Sequence, residues 1–206
     1  MKSIFTALLL LIDVGCFGQD LHYAKATLKT LTSKELWGRG YTNNGMYKAA
    51  DFIANEFKNL DLQPLYNKNY LQPFMMSVNT FPGKMQLKIN GKKLQPGVDF
   101  LINQASIGTK TTANLIQKDS VTFVAASSRI VVSLQDKLTW SVAQRVADYT
   151  EIILKEADYP SILPQQIQID VENLFVEDFR AHNVGAIVKG TTHPDSIILI
   201  TAHYDH

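Results

Sequence analysis

Apolar residues recur at helical spacing from the twentieth residue onward. Leu21, Ala24, Leu28 and Leu31 share one face, which predicts a helix over 20–31. Thr32 and Ser33 can cap a further short turn to Leu36. In Trp37-Gly38-Arg39-Gly40, two glycines flank or follow bulky side chains and break regular structure. Asn44 is placed to start a second helix running to about Leu60. Its buried stripe is Met46, Ala49, Ala50, Ile53, Phe57 and Leu60. Asp61 ends that helix, and Pro64 prevents a restart.

The period then changes. Residues 85–89 alternate, and Asn90-Gly91 supplies a type I′ hairpin turn. Further strands are expected at 122–125, 130–134 and 152–154, with a helix over 138–149 between the last two. Ile167, Ile169 and Val171 alternate with Gln168, Asp170 and Glu172, the pattern of a half-buried strand. Two late strands are predicted, at 183–188 and 196–202, separated by a turn at His193-Pro194-Asp195. The second contains Ile197-Ile198-Leu199-Ile200, a run without alternation that suggests burial on both faces.

The composition, 46% hydrophobic and 19% charged, excludes a disordered chain. The net charge of +1 gives no ground to expect nucleic acid or an anionic membrane as partner. The N-terminus differs from the rest. Lys2 precedes an apolar run from Ile4 to Ile12 broken only by Thr6, and the small residues Gly15, Cys16 and Gly18 follow. This is the layout of a secretory signal peptide cut near Gly18 or Gln19. The run is too short for an integral span, which takes about 20 apolar residues. A secreted or periplasmic location follows as the expectation. Val14 and Gly15 before Cys16 also fit a lipoprotein signal, but Asp13 stands where an aliphatic residue belongs, so lipid anchoring is the lesser alternative. Cys16 is the only cysteine. The mature chain is therefore expected to lack disulfides, thiolate metal ligands and a cysteine nucleophile.

The chemistry-bearing segment follows the last apolar run: Thr201-Ala202-His203-Tyr204-Asp205-His206. In α/β sheets, sites lie at the carboxyl ends of strands. Two residues apart in extended backbone, His203 and Asp205 would point the same way, about 6.5 Å apart at the backbone. An imidazole on a metal, with its other N–H held by a carboxylate, uses such a pair. Taken alone, His-x-Asp is weak evidence and is more often a surface or turn pair. His22, His182 and His193 show no ligand spacing and read as surface residues, and Arg39 reads as a loop brace rather than a cleft residue.

The ordered context strengthens the pair. Gly38-Arg39-Gly40 precedes a helix with Ala49, Ala50 and Ile53. Leu60-Asp61-Leu62-Gln63-Pro64, Gln72-Pro73-Phe74, and Asn183-Val184 with Gly190 follow in order. With the terminal motif, these resemble the co-catalytic zinc exopeptidases, a family that includes secreted bacterial aminopeptidases and glutamate-carboxypeptidase-like proteins. The likeness covers roughly residues 30–75 and 180–206. It implies an α/β chain: the start of a three-layer fold, a mixed sheet flanked by helices, incomplete and with a β-rich insert. It implies a signal peptide at 1–19, peptidase segments at 20–79 and 179–206, and an insert at 80–178. Some members carry a protease-associated domain there, which Ile130–Leu154 faintly resembles; a substrate-gating cap is the alternative.

The resemblance further implies that His203 is the first zinc ligand and Asp205 the catalytic carboxylate that orients it. The cofactor would be two zinc ions, and the substrates peptides or proteins. No ligand role is carried over to His206. Asp61 stands where the family has glycine. The family's bridging carboxylate, glutamate base and other ligands have no counterpart in these 206 residues, so this stretch alone is expected to be inactive. Two other readings share the fold: a non-catalytic, receptor-like relative, and a single-zinc acyltransferase of the glutaminyl-cyclase type.

Overall fold

Asp20 accepts a hydrogen bond from the Tyr23 amide on its carboxylate, at 2.9 Å. This caps helix α1, Leu21–Leu31. In the computed structural model, which describes residues 20–159 and 162–204, α1 buries none of its residues. Leu21 and Leu28 remain open on its apolar face. The expected signal peptide lies outside the described residues. A 3₁₀ turn over Lys34–Arg39 follows, and Trp37, Gly38 and Arg39 all take positive φ. Helix α2, Gly45–Asn59, comes next. Asn44 stands at its start in left-handed conformation, and its side chain makes no capping bond. Of the expected stripe, Met46, Ala49 and Ala50 are buried, Ile53 and Phe57 are half-buried, and Leu60 is exposed. Asp61 ends the helix with a φ of 53°.

Thirteen strands follow among the described residues. Strand β1 is Gln63–Pro64 and β2 is Leu71–Thr80. The Asn90-Gly91 hairpin joins β3, Met85–Ile89, to β4, Lys92–Leu94. Then come β5 at Phe100–Ile102, β6 at Thr109–Asn114, β7 at Ile116–Gln117 and β8 at Thr122–Ala125. After them lie β9 at Ile130–Gln135, β10 at Thr150–Lys155 and β11 at Gln166–Val171. The last are β12 at Leu174–Val184 and β13 at Ala186–Ile187.

A five-stranded sheet, β5-β10-β9-β8-β7, and a four-stranded sheet, β4-β3-β11-β6, share one core. Phe100, Phe123, Val132, Ile152 and Leu154 meet Leu87, Ile89, Ile167 and Ile169 there. The alternation read in β3 and β11 is what turns Leu87, Ile89, Ile167 and Ile169 inward. Strands β2 and β12 form a separate antiparallel ribbon, and β1 pairs with β13. The protein is thus mixed α/β, with several antiparallel sheets and two α-helices among the described residues.

Three expectations do not hold. The 138–149 segment is not a helix, although its apolar residues are spaced like one. It is an irregular crossover between the parallel strands β9 and β10. Its backbone groups are taken by distant partners: the Ala143 carbonyl accepts from the Asn79 amide at 2.9 Å, and the Ala147 amide donates to the Ala105 carbonyl at 2.6 Å. The expected strand over 183–188 is broken at Gly185, where the chain leaves β2 and turns to pair with β1. Finally, 196–202 is no strand. Ile197, Ile198, Leu199 and Ile200 are 78–91% exposed. A strand exists through its neighbours' hydrogen bonds, and no described strand lies alongside this one.

Candidate functional site

The two halves of the resembling sequence meet at the β2–β12 ribbon and helix α2. A bulge in β12 sets two residues, Glu177 and Asp178, against Ser77, whose hydroxyl donates to the Glu177 carbonyl at 3.0 Å. Directly after it, Phe179 packs edge-on to Tyr41, with ring centroids 5.1 Å apart, and stacks on Tyr47 of α2 at 5.7 Å. Tyr47 donates its hydroxyl hydrogen bond to the Arg180 carbonyl at 2.6 Å. The helix is thus held to the ribbon by aromatic packing and one backbone acceptor.

His182 lies on the same strand. Its ring meets Tyr47 edge-on at 5.5 Å, and its Nδ1 is buried without a hydrogen-bond partner among the described residues. Burial pushes the imidazole below the ordinary histidine value; the Arg180 charge adds to this and Asp51 opposes it. The surface role expected for His182 is therefore wrong: the residue is half-buried and packed. The physical reason is its position on a strand that α2 covers, which its neighbours in sequence do not reveal.

The His182 carbonyl accepts a 2.6 Å hydrogen bond from the Tyr204 hydroxyl. Pro73 stands opposite His182 in the ladder and has no N–H to offer. Tyr204 therefore anchors the terminal motif to β12, and its neighbour His203 is exposed beside the ribbon. Asp205 and His206 lie outside the described residues. Among the described residues, no three His, Cys, Asp or Glu side chains come together in a group able to hold a metal.

The other candidates are dispersed. Arg39 donates from Nη1 to the Leu31 carbonyl, which is the bracing role expected of it. His22 is exposed on α1. His193 is exposed in its turn, where its carbonyl accepts from the Ser196 amide at 3.0 Å. No described helix is long and apolar enough to cross a membrane.

No protein-family model matches the sequence, and no curated protein does. Similar solved structures include two peptidases. One is the peptidase M28 precursor from Shewanella amazonensis SB2B. It is 14% identical with a TM-score of 0.56, over 88% of this chain and 56% of that one. The other is an aminopeptidase from Aneurinibacillus sp. strain AM-1. It is 14% identical with a TM-score of 0.42, over 83% of this chain and 52% of that one. The chain spans about half the length of either. The Shewanella likeness establishes a common fold across most of the chain and nothing finer; the lower score of the other carries no argument.

Proposed function

We propose that the chain forms part of an exported zinc-dependent exopeptidase of aminopeptidase type, hydrolysing N-terminal peptide bonds. The observation that carries this is the fold shared with the Shewanella peptidase precursor over 88% of the chain, taken with the Thr201–His206 motif. In this reading His203 is a zinc ligand and Asp205 holds its ring. Residues 20–79 and 179–206 belong to the three-layer peptidase fold, and 80–178 are an insert. Export rests on the signal-like layout of residues 1–19.

A catalytic zinc takes at least three protein donors. The described residues do not assemble three, so they do not by themselves fit a complete zinc site. In this reading the chain contributes one imidazole, from His203, and one carboxylate, from Asp205. The remaining donors, and the second ion, belong to the whole protein.

The test is hydrolysis of aminoacyl-anilides by the whole protein recovered outside the cytoplasm, with its N-terminus near Gln19. Turnover is expected to be abolished by a chelator and reduced at least about 100-fold by His203→Ala. Residues 20–206 alone are expected to show none. Chelator-insensitive turnover, full activity of the His203 variant, or recovery of intact Met1 in the cytosol would each count against the reading.

A further inference from the structure

The outer face of the four-stranded sheet carries two facing lysines that no described residue pairs with. Leu87, Ile89, Ile167 and Ile169 point into the core, so the residues between them face solvent. The register sets Lys93 opposite Lys88, Lys88 opposite Gln168, and Gln168 opposite Thr112, a single row across all four strands. The adjoining row is Gln86, Asp170 and Lys110. Together the rows line a groove of about 630 Å³.

Like charges placed directly opposite on antiparallel strands are destabilising. Lys110 is compensated, because its Nζ lies 3.1 Å from an Asp170 carboxylate oxygen. Lys88 and Lys93 are both exposed, and neither has an ion-pair partner among the described residues. A repulsive pair at the β4 edge of a polar groove suits an anionic occupant.

The lining selects the kind of anion. It contains no arginine, the side chain whose rigid fork matches phosphate and sulfate in two-point contact. It contains no aromatic ring on which a nucleobase could stack. Its charges are the ammonium groups of Lys88, Lys93 and Lys110 and the Asp170 carboxylate that pairs with Lys110, and its neutral donors and acceptors are the amides of Gln86 and Gln168 and the hydroxyls of Thr111 and Thr112. A primary amide offers one acceptor and two donors, which can pair with a peptide's N–H and C=O. In an extended peptide, alternate residues project to one side, about 6.5–7 Å apart. We infer that an acidic segment of polypeptide docks across this face, its carboxylates over Lys88 and Lys93 and its backbone on the two glutamines. The inference stands whether or not the peptidase reading holds.

The test uses the whole protein and a fluorescently labelled oligoglutamate peptide, with binding followed by anisotropy. Oligoglutamate is expected to bind, and added salt to weaken it. Lys88→Glu with Lys93→Glu should weaken binding at least about tenfold. Lys25→Glu with Lys29→Glu on α1 is the matched charge control and should change it less than about twofold. Lys93→Glu alone places a carboxylate opposite Lys88. It should therefore raise the thermal midpoint by about 2 °C while weakening the peptide. No binding of oligoglutamate, equal loss in the α1 control, or tighter binding of heparin or oligothymidine than of oligoglutamate would overturn the proposal. So would a fall in midpoint for Lys93→Glu without loss of peptide affinity.

Discussion

Gly45→Ala is expected to lower the unfolding free energy by about 3 kcal/mol. A Cβ at this position would lie 2.5 Å from the Leu36 carbonyl oxygen, 3.0 Å from the Gly40 oxygen and 3.1 Å from the Gly40 nitrogen. All three are backbone atoms, so no side chain can swing aside. Helix α2 would have to part from the 3₁₀ turn that carries Trp37 and Arg39, breaking the bond from the Met46 amide to the Gly40 carbonyl, now 2.8 Å. Gly40→Ala provides the contrast. Gly40 is extended, and a Cβ there meets only the Trp37 oxygen, at 3.7 Å. Urea unfolding should separate the two, with Gly40→Ala within about 0.5 kcal/mol of the parent. A Gly45→Ala protein as stable as the parent would mean that the turn is not seated on α2 as described.

Asn79→Ala is expected to cost a similar amount, about 3 kcal/mol, for a different reason. Asn79 is 5% exposed and sits near the end of β2, where the chain passes from the ribbon into the two packed sheets. Its Nδ2 donates to the Gln104 and Ser106 carbonyls at 2.9 and 2.8 Å, and its Oδ1 accepts from Asn173 Nδ2 at 2.8 Å. Asn173 in turn accepts from the Gly108 amide at 2.8 Å, just before β12 begins. The pair thus ties together the outgoing and returning passages of the chain. Alanine would leave two carbonyls and one amide without partners in a buried setting, where each carries a desolvation penalty. Asn183→Ala is the control, since its bond to Gln72 is exposed; it should stay within about 0.5 kcal/mol of the parent. Thermal unfolding of both variants decides it. An Asn79→Ala midpoint equal to that of Asn183→Ala would remove the network from the account of stability.

What could be read in advance was what neighbouring residues decide. The Asn90-Gly91 hairpin, the left-handed stop at Asp61 and the inward side of β11 each depend on two to six consecutive residues, and each is observed. The errors arise where distant groups compete. Over 138–149 helical spacing is present, but hydrogen bonds from Asn79 and to Ala105 use backbone groups that a helix would have kept for itself. The pattern predicts no strand at β2 and only the last residues of β12, because Pro73 and the bulge at Glu177 and Asp178 interrupt any clean alternation. At the candidate site, His203 and Asp205 stood out by residue type and spacing. Tyr204 did not, because its role depends on contact with His182 on β12. His182 was missed for the same reason: its burial comes from α2 packing over the ribbon. An aromatic residue between two metal-type side chains was the only local hint.

The most direct test of the zinc exopeptidase reading is the metal content of the purified whole protein, measured by atomic emission. The parent and His193→Ala should retain their zinc, and His203→Ala should lose most of it while keeping the parent's circular dichroism. Zinc retained in full by a folded His203→Ala protein would contradict the assignment of His203, and with it the reading built on the terminal motif.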